Sequence, residues 1–455
     1  MATSFDPAST AASLATAYTQ AAQAQLTAQT QRAQAQSTGL TKLQSALRAF
    51  DSAVATLSGK KTMVQHVATF ADTSVGTATT SASAQPGSYP LFVEQVAAAH
   101  QIAFTDLPAV PVPVTGTLTI AQGGVAAFNV NFATADLDNN GTLSQAEMAR
   151  AINSAADNDG KVTASVVTAG GSTQLVLSST SSGAASEITL DASTLSDATL
   201  QAKFGAGTTL VAAKDAIVWL GAKDTGVKLQ QASNTFTAID GVSMTFKQAM
   251  AVGAAPTTLT VAGDDAGTAS NVQNFIDAYN TLNSTLDALT RAGSAADGVT
   301  AGTFASDASI RALRTRLNDM LRQQTGGVRL ADFGVAADRD GKLTLDQTKL
   351  KAQLDAAPDS LDTLFGSASP TASSGLLGAM DKYMDAWLNS VNGKIVVRQE
   401  SVQSIQKSAA ARQTRLDKQY DNAYQRYLKQ FTVLQNLQAQ MAETSSMFDA
   451  LSVNS

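Results

Sequence analysis

The chain has 455 residues, a length typical of about three domains. Its 31 Lys and Arg against 37 Asp and Glu give a formal net charge of -6, and without a strongly basic region a nucleic-acid-binding role is disfavoured. The absence of Cys excludes disulfides and thiolate chemistry, and His occurs only at His66 and His100. Because most hydrolytic and acid–base chemistry uses His, we expect a protein that is not an enzyme.

The composition permits hydrophobic cores but predicts no membrane span. Hydrophobic residues make up 44% of the chain, and no run approaches the roughly 18 apolar residues that a span requires. The start of the chain has neither a basic n-region nor an apolar h-region, so we expect no cleaved secretory signal.

The first zone, residues 1–71, predicts helix in two parts. Residues 8–39 are almost all Ala, Gln, Thr and Ser, and we expect them to be mobile alone and helical against partners. From Leu40 onward the apolar residues follow the spacing of a coiled-coil seam, which ends near Gly59. These seam residues are Leu40, Leu43, Leu47, Phe50, Val54 and Leu57.

The middle zone, residues 72–268, predicts β structure. Short alternating or β-branched runs are bounded by Gly, Asn, Asp and Pro, as strands are. The predicted strands of this part of the chain are Val67–Ala71, Ser88–Val96, Gly116–Ile120, Ala126–Ala133, Val162–Val167, Gln174–Ser179 and Ser243–Phe246. Pro residues at 108, 111 and 113 suggest a connector to an inserted domain. The zone holds 16 Asp and Glu against 7 Lys and Arg, which predicts an acidic, solvated head.

The third zone returns to helix. Seam spacing recurs over residues 272–289, 310–320 and 377–387, and Leu330–Thr344 predicts a hairpin that turns at Asp340-Gly341. A long helix is predicted after Gly393, to about Ala442, with heptad spacing from Tyr420 onward.

Two helical chain ends around a β-rich middle predict an α+β multidomain fold. Both ends form a helical, coiled-coil-like stem, and β-rich head domains are inserted between them. The predicted domains are a terminal helical leg (1–42 with 415–455), a helical stem domain with a small hairpin (43–71 with 268–414), a β head domain (72–107 with 215–267) and an inserted outer β head domain (108–214).

The narrow seams indicate self-assembly, because a long helix buries little of its apolar stripe without a partner. We expect oligomer or filament contacts at Leu40, Leu43, Leu47, Phe50, Tyr420, Tyr424, Tyr427, Phe431, Leu434 and Met441. The alternative is an intramolecular bundle of helices 40–57, 270–290, 307–322 and 395–442. For residues 40–57 both arrangements remain open, whereas residues 1–39 and 430–455 have no obvious partner within the chain.

One segment has the spacing of a metal-binding loop. Oxygen-bearing residues stand at positions 1, 3, 5, 7 and 12 of an EF-hand-like loop, with Gly141 at position 6. They are Asp136, Asp138, Asn140, Thr142 and Glu147. The alternative is a capped strand-to-helix turn, with Ser144 as N-cap and Glu147 completing a capping box. A Ca²⁺ ion here would rigidify the head; no other cofactor is expected.

Several segments, in order along the chain, resemble the flagellar filament capping protein family, also called hook-associated protein 2. The stretch Ala84–Ala97 (AQPGSYPLFVEQVA) resembles the family's "PGsYslxVxqLA" motif, and Ala232–Phe246 resembles "sNtitdaipGvtLtl". Met148–Asn153 with the following strands is similar to a small module shared with flagellins. The run Phe333–Asp346 and the C-terminal helix also match.

The resemblance implies an extracellular assembly factor at the distal tip of a bacterial flagellum. Such caps form a homo-oligomeric ring that promotes flagellin folding and polymerisation and prevents the loss of flagellin monomers. Flagellin, the hook–filament junction proteins and a cytoplasmic export chaperone are the implied partners. Secretion would use the flagellar type III pathway, without a cleaved signal peptide. The alternative function is a surface adhesin that uses the acidic β head.

Overall fold

The computed structural model describes residues 6–369 and 372–453. The described chain divides into two compact units. Unit 1 contains the residues up to Val64 and those from Ala266 onward, and unit 2 is Gln65–Asp265. Both ends of the chain therefore belong to a helical unit and the β-rich middle forms another, which confirms the predicted α+β multidomain class.

The helices begin where the sequence offers caps. Asp6 accepts hydrogen bonds from the N–H groups of Ala8 and Ser9 at the start of the first helix, and Asp307 caps another in the same way. The helices are α1 (Pro7–Gly59), α2 (Gln145–Asn153), α3 (Ala198–Phe204), α4 (Asp265–Thr290), α5 (Ala308–Arg322), α6 (Gln347–Ala356), α7 (Ser360–Phe365), α8 (Gly375–Leu388) and α9 (Lys394–Val453).

The strands pair antiparallel throughout the described sheets. Those before residue 145 are β1 (His66–Phe70), β2 (Gly76–Thr80), β3 (Gly87–Gln95), β4 (Ala99–Thr105), β5 (Val110–Pro111), β6 (Thr117–Gln122), β7 (Val125–Asn131) and β8 (Thr142–Leu143). The later ones are β9 (Val162–Ala169), β10 (Ser172–Ser182), β11 (Ile188–Asp191), β12 (Thr208–Val211), β13 (Ala216–Leu220), β14 (Val227–Gln231), β15 (Thr235–Ile239), β16 (Val242–Phe246), β17 (Thr257–Gly263), β18 (Val335–Ala337) and β19 (Leu343–Leu345).

The core of unit 1 lies between the second half of α1 and the helices α4, α5 and α8. The ring of Phe50 lies 6.3 Å from that of Phe275 and 6.4 Å from that of Tyr279, measured between centroids. Phe275 in turn meets Phe365 edge-on at 5.3 Å, and Trp387 is fully buried in the same core. The hairpin β18–β19 packs at its margin, which confirms the hairpin predicted at Asp340-Gly341.

The first half of α1 is helical within the chain, contrary to the expectation that it would lack an internal partner. The helix runs without interruption through residue 39, and Ala11, Ala15, Leu26 and Ala33 are buried. Leu26 packs with Ala409 and Leu416 of α9. The prediction failed because it counted large apolar residues, whereas small Ala residues let the two helices approach closely enough to bury each other.

Unit 2 is built from four sheets of three or more strands and one short ribbon. The sheet orders are β1-β17-β3-β13-β14, β15-β16-β2, β12-β4-β10-β9 and β11-β6-β7, with β5-β8 as the ribbon. The first and last strands of the unit pair with each other, since His66 of β1 lies opposite Gly263 of β17. The chain therefore enters and leaves unit 2 at one place.

Two hydrophobic cores lie inside unit 2. One joins the sheets that contain β3 and β16 and includes Leu91, Phe246 and Leu259. The other joins α2 and α3 to the sheets that contain β6 and β10, and it includes Phe128 and Met148. The two cores correspond to the inner and outer parts of the predicted head, although the division into two separate head domains stays a prediction.

The seven strands predicted in this part of the chain are all present, with ends shifted by a few residues. The prediction missed the other ten described strands of unit 2, among them β13 and β17 inside the five-stranded sheet and β4 inside the four-stranded sheet. Among the described residues, no helix combines the length and the hydropathy that crossing a bilayer requires.

Candidate assembly surfaces and acidic loop

The helices α1 and α9 lie side by side in opposite directions and are joined by glutamine pairs. Gln23 bonds Gln413 at 3.1 Å, Gln34 bonds Gln406 at 3.4 Å, and Gln44 bonds Gln399 at 3.2 Å between side-chain amide atoms. Residue numbers rise on α1 as they fall on α9, so the pair is antiparallel. The three α9 glutamines stand seven residues apart, on one face of the helix.

The seam between α1 and α9 buries one residue per heptad on the α9 side. From Ile395 onward the buried α9 residues are Ile395, Val402, Ala409, Leu416 and Ala423. A two-stranded coiled coil normally buries two apolar residues per heptad, at positions a and d. The buried series occupies d, and the glutamines four residues later occupy a. Polar a positions specify register at a cost in stability. The contact between α1 and α9 therefore favours one register while burying little apolar surface.

The acidic loop is held by its own hydrogen bonds at the start of α2. The Glu147 carboxylate accepts from the Ser144 N–H at 2.9 Å, the Ser144 hydroxyl at 2.7 Å and the Leu137 N–H at 3.0 Å. The Ser144 hydroxyl also accepts from the Glu147 N–H, which completes the predicted capping box. These bonds, first of all that from the Ser144 backbone, lower the pKa of Glu147 from 4.5 to about 2.

The remaining predicted ligands surround the same turn. Asp136 accepts from the backbone N–H groups of Asn140 and Gly141, and Asp138 accepts from the backbone and side-chain amides of Asn140. Asn140 in turn accepts from the N–H and hydroxyl of Thr142. Carboxylate oxygens of Asp136, Asp138 and Glu147 lie within 4.8 Å of one another, a spacing that could hold a cation. The capping box is confirmed, and Ca²⁺ binding stays a prediction.

The sequence matches two family models and several curated relatives. The model for the flagellar hook-associated protein 2 C-terminus matches residues 213–443, and the model for the N-terminus matches residues 3–100. A lateral flagellar hook-associated protein 2 of Vibrio parahaemolyticus is 37% identical over 82% of this chain and 83% of its own length. The B-type protein of Pseudomonas aeruginosa is 29% identical over 89% of this chain and 86% of its own length.

The chain belongs to the flagellar hook-associated protein 2 family. The fold agrees, because the D1-D2-D3 domains of the flagellar cap protein FliD from Escherichia coli align with a TM-score of 0.63 and 25% identity. That alignment covers 80% of this chain and 99% of the Escherichia coli chain.

Four of the predicted contact residues are buried within unit 1 and are not available to a partner. Leu40, Leu43, Leu47 and Phe50 are at most 1% exposed, because they lie in the core of unit 1, where α1 packs against α4, α8 and α9. The intramolecular bundle, which the sequence left open for residues 40–57, is the arrangement observed. A seam of large apolar residues does not reveal whether its partner is the same chain or another copy.

The predicted contact residues near the C-terminal end of α9 are, by contrast, not buried. Tyr420, Tyr424, Tyr427 and Phe431 are half-buried, whereas Leu434 and Met441 are 40% and 64% exposed. From Tyr424 to Phe448, the last α9 residue whose exposure is described, no side chain is buried. The exposed side chains of Leu434 and Met441 are accessible, and the assembly role of this end of α9 stays a prediction.

Sequence analysis missed the glutamines that pair α1 with α9. Apolar periodicity is the usual signal of a seam, and Gln399, Gln406 and Gln413 are typical of a solvated surface. Their seven-residue spacing, continued by Tyr420, Tyr427, Leu434 and Met441, was the signal that could have revealed one continuous a position.

Proposed function

We propose how this flagellar cap protein works at the distal end of the filament. Several copies form a ring that promotes flagellin folding and polymerisation and prevents the loss of flagellin monomers. The helical ends attach the ring to the filament by weak contacts that release and re-form as each subunit is added. Family membership supports the cap role, and the helix pair α1–α9 supports the release step.

The observation that carries this proposal is the contrast along α9. Up to Ala423 the helix pairs with α1 through one buried residue per heptad, and beyond Ala423 it exposes Leu434, Leu437 and Met441. Exposed apolar side chains in a row along one helix mark a surface that another protein covers. A helix pair that buries little apolar surface, next to an exposed apolar surface, suits contacts that must break and re-form as each subunit is added.

We further propose flagellin and a second copy of the chain as the proteins that cover this surface. The hook–filament junction proteins would supply the first attachment site, and an export chaperone would shield α9 in the cytoplasm before secretion. Export through the flagellar type III pathway is part of the same proposal. The names of the relatives lend no support to the adhesin alternative, and we propose no enzymatic activity.

The test is deletion of the gene in its host, with filaments imaged and flagellin assayed in the medium. We expect short or absent filaments and spilled flagellin, restored by the full chain. A variant with Leu434, Leu437 and Met441 changed to Ser should not restore growth, because the apolar contact is lost. The matched control changes the exposed polar residues Asn436 and Gln440 to Ser on the same helix and should restore growth. Normal filaments after deletion would contradict the cap role.

A further inference from the structure

A cavity of about 590 Å³ lies in unit 1 between α5 and the hairpin β18–β19. Its floor is apolar and consists of side chains that are at most 8% exposed. These floor residues are Leu321, Leu330, Val335 and Leu343. The open cavity can therefore accept an apolar side chain against a preformed apolar surface.

The rim of this cavity is cationic. Arg322, Arg329 and Arg339 line it, and none of the three forms an ion pair within the described part of the chain. A fourth lining residue, Arg314, is already engaged with Asn283, Asp287 and the Asp340 carbonyl. Three uncompensated guanidinium groups around an apolar floor suit an apolar side chain that is flanked by carboxylates.

The acidic groups on the rim do not neutralise these arginines. Asp338 and Asp340 also line the cavity, and the Asp338 carboxylate accepts the backbone N–H groups of Asp340 and Lys342 within the hairpin turn. The three arginines outnumber these two carboxylates, so the rim keeps a net positive charge.

Unit 2 presents a tip with the matching chemistry. Leu137 is 61% exposed and stands between Asp136 and Asp138 at the start of the acidic loop. Its N–H donates to the buried Glu147 carboxylate, which holds the tip in place. Unit 2 as a whole carries 16 Asp and Glu against 7 Lys and Arg, so its surface is attracted to cationic sites.

We propose that the arginine-lined cavity of one chain binds the Asp136–Asp138 tip of a second copy. Leu137 would lie on the apolar floor, and the two carboxylates would face Arg322 and Arg339. The contact joins two different surfaces, so it is heterologous and generates a ring or an open chain of copies. This inference rests on the proposed ring and names one of the contacts that closes it.

The first test is self-association of the full-length protein, measured by sedimentation at concentrations up to about 1 mM, where a contact with a Kd of that order is detected. The wild type should associate, and both the cavity variant R322E/R339E and the tip variant D138R should associate at least tenfold more weakly. L137S should weaken association without any change of charge. The matched control R311E/R316E reverses two exposed charges of α5 outside the cavity and should behave as the wild type.

Mixing the two defective chains gives the decisive result. In a mixture of R322E/R339E with D138R, the tip of the first chain meets an intact cavity, and the reversed charges meet each other. Association should therefore return, although each variant alone remains weak. A wild type that stays monomeric at about 1 mM, cavity variants that associate normally or a mixture that stays dissociated would each overturn the proposal.

The same variants separate this inference from the proposed function. If R322E/R339E restores filament growth in the deletion host as well as the wild type does, the cavity is not a ring contact. The cap role would then stand, because its own test depends on Leu434, Leu437 and Met441.

Discussion

At the scale of single residues, Glu147 explains how an acidic loop is stable next to a buried helix start. The residue is 3% exposed, and its carboxylate accepts three hydrogen bonds, two of them from Ser144. A buried carboxylate with enough donors remains charged, so the low pKa of Glu147 reflects those bonds and not exposure to water. The same side chain fixes both the start of α2 and the Leu137 tip.

The pKa of Glu147 predicts an acid-sensitive contribution to stability. Because the folded value of about 2 lies below the ordinary 4.5, the contribution is full above pH 4.5 and is lost as the pH falls from 4.5 towards 2. E147Q should therefore lower the melting temperature at pH 7 and do so less at pH 3. S144A, which removes the cap, should cost about 1 kcal/mol.

Thermal unfolding monitored by circular dichroism between pH 7 and pH 2.5 measures both effects. Glu443 is exposed on α9, so E443Q serves as the control and should leave the melting temperature unchanged. A destabilisation by E147Q that is the same at every pH would contradict the assignment.

At the scale of elements, the pair α1–α9 shows how a helix contact can be specific without being strong. Amide pairs recur at three positions, and each requires its partner at the same height along the seam. Apolar residues at those positions would bury more surface, but they would also tolerate a slip of the register. The glutamines therefore favour a single register in a contact that remains weak.

Replacing one glutamine pair by leucine should strengthen this contact. Q34L/Q406L adds an apolar pair at an a position and should stabilise the chain by about 1 kcal/mol. Hydrogen exchange at the α1 amides should slow accordingly, and filament growth in the host should slow if release of the helices is required. Q403L, on an exposed position of α9, is the control. No gain in stability would show that the a positions are not packed.

At the scale of the molecule, unit 2 is inserted into the sequence of unit 1, and the chain enters and leaves it at neighbouring positions. Residues 66 and 263 are paired across β1 and β17, so the two ends of the unit are adjacent. Its cores contain only residues of the unit itself. An inserted domain with adjacent ends and its own core is expected to fold alone.

We therefore expect residues 65–265, expressed as a separate protein, to fold with native strand content and cooperative unfolding. Circular dichroism and denaturant titration provide the measurement. A fragment of residues 72–265, which lacks β1, should be less stable because β17 then becomes an exposed edge. An unfolded 65–265 fragment would show that unit 1 is needed to stabilise the head.

Much of the chain was readable from sequence because its signals are local. The heptad spacing of 40–57, the alternation of the predicted strands and the Ser144–Glu147 capping box each depend on residues within a turn or two of one another. The order of family motifs likewise lies in the chain itself. These features predicted the helical ends, the β-rich middle and the family.

Only the folded structure shows which element covers each apolar stripe. The sequence of a stripe predicts that it is buried, but not whether the same chain or another protein covers it. Phe50 packs against Phe275 and Tyr279 of α4, more than two hundred residues away, whereas Leu434 and Met441 are exposed. The arginines of the cavity come from α5, from the segment before the hairpin and from the hairpin turn, and their spacing along the sequence gives no sign of a shared site. Long-range contacts bring such residues together, since local propensity specifies each helix but not its neighbours.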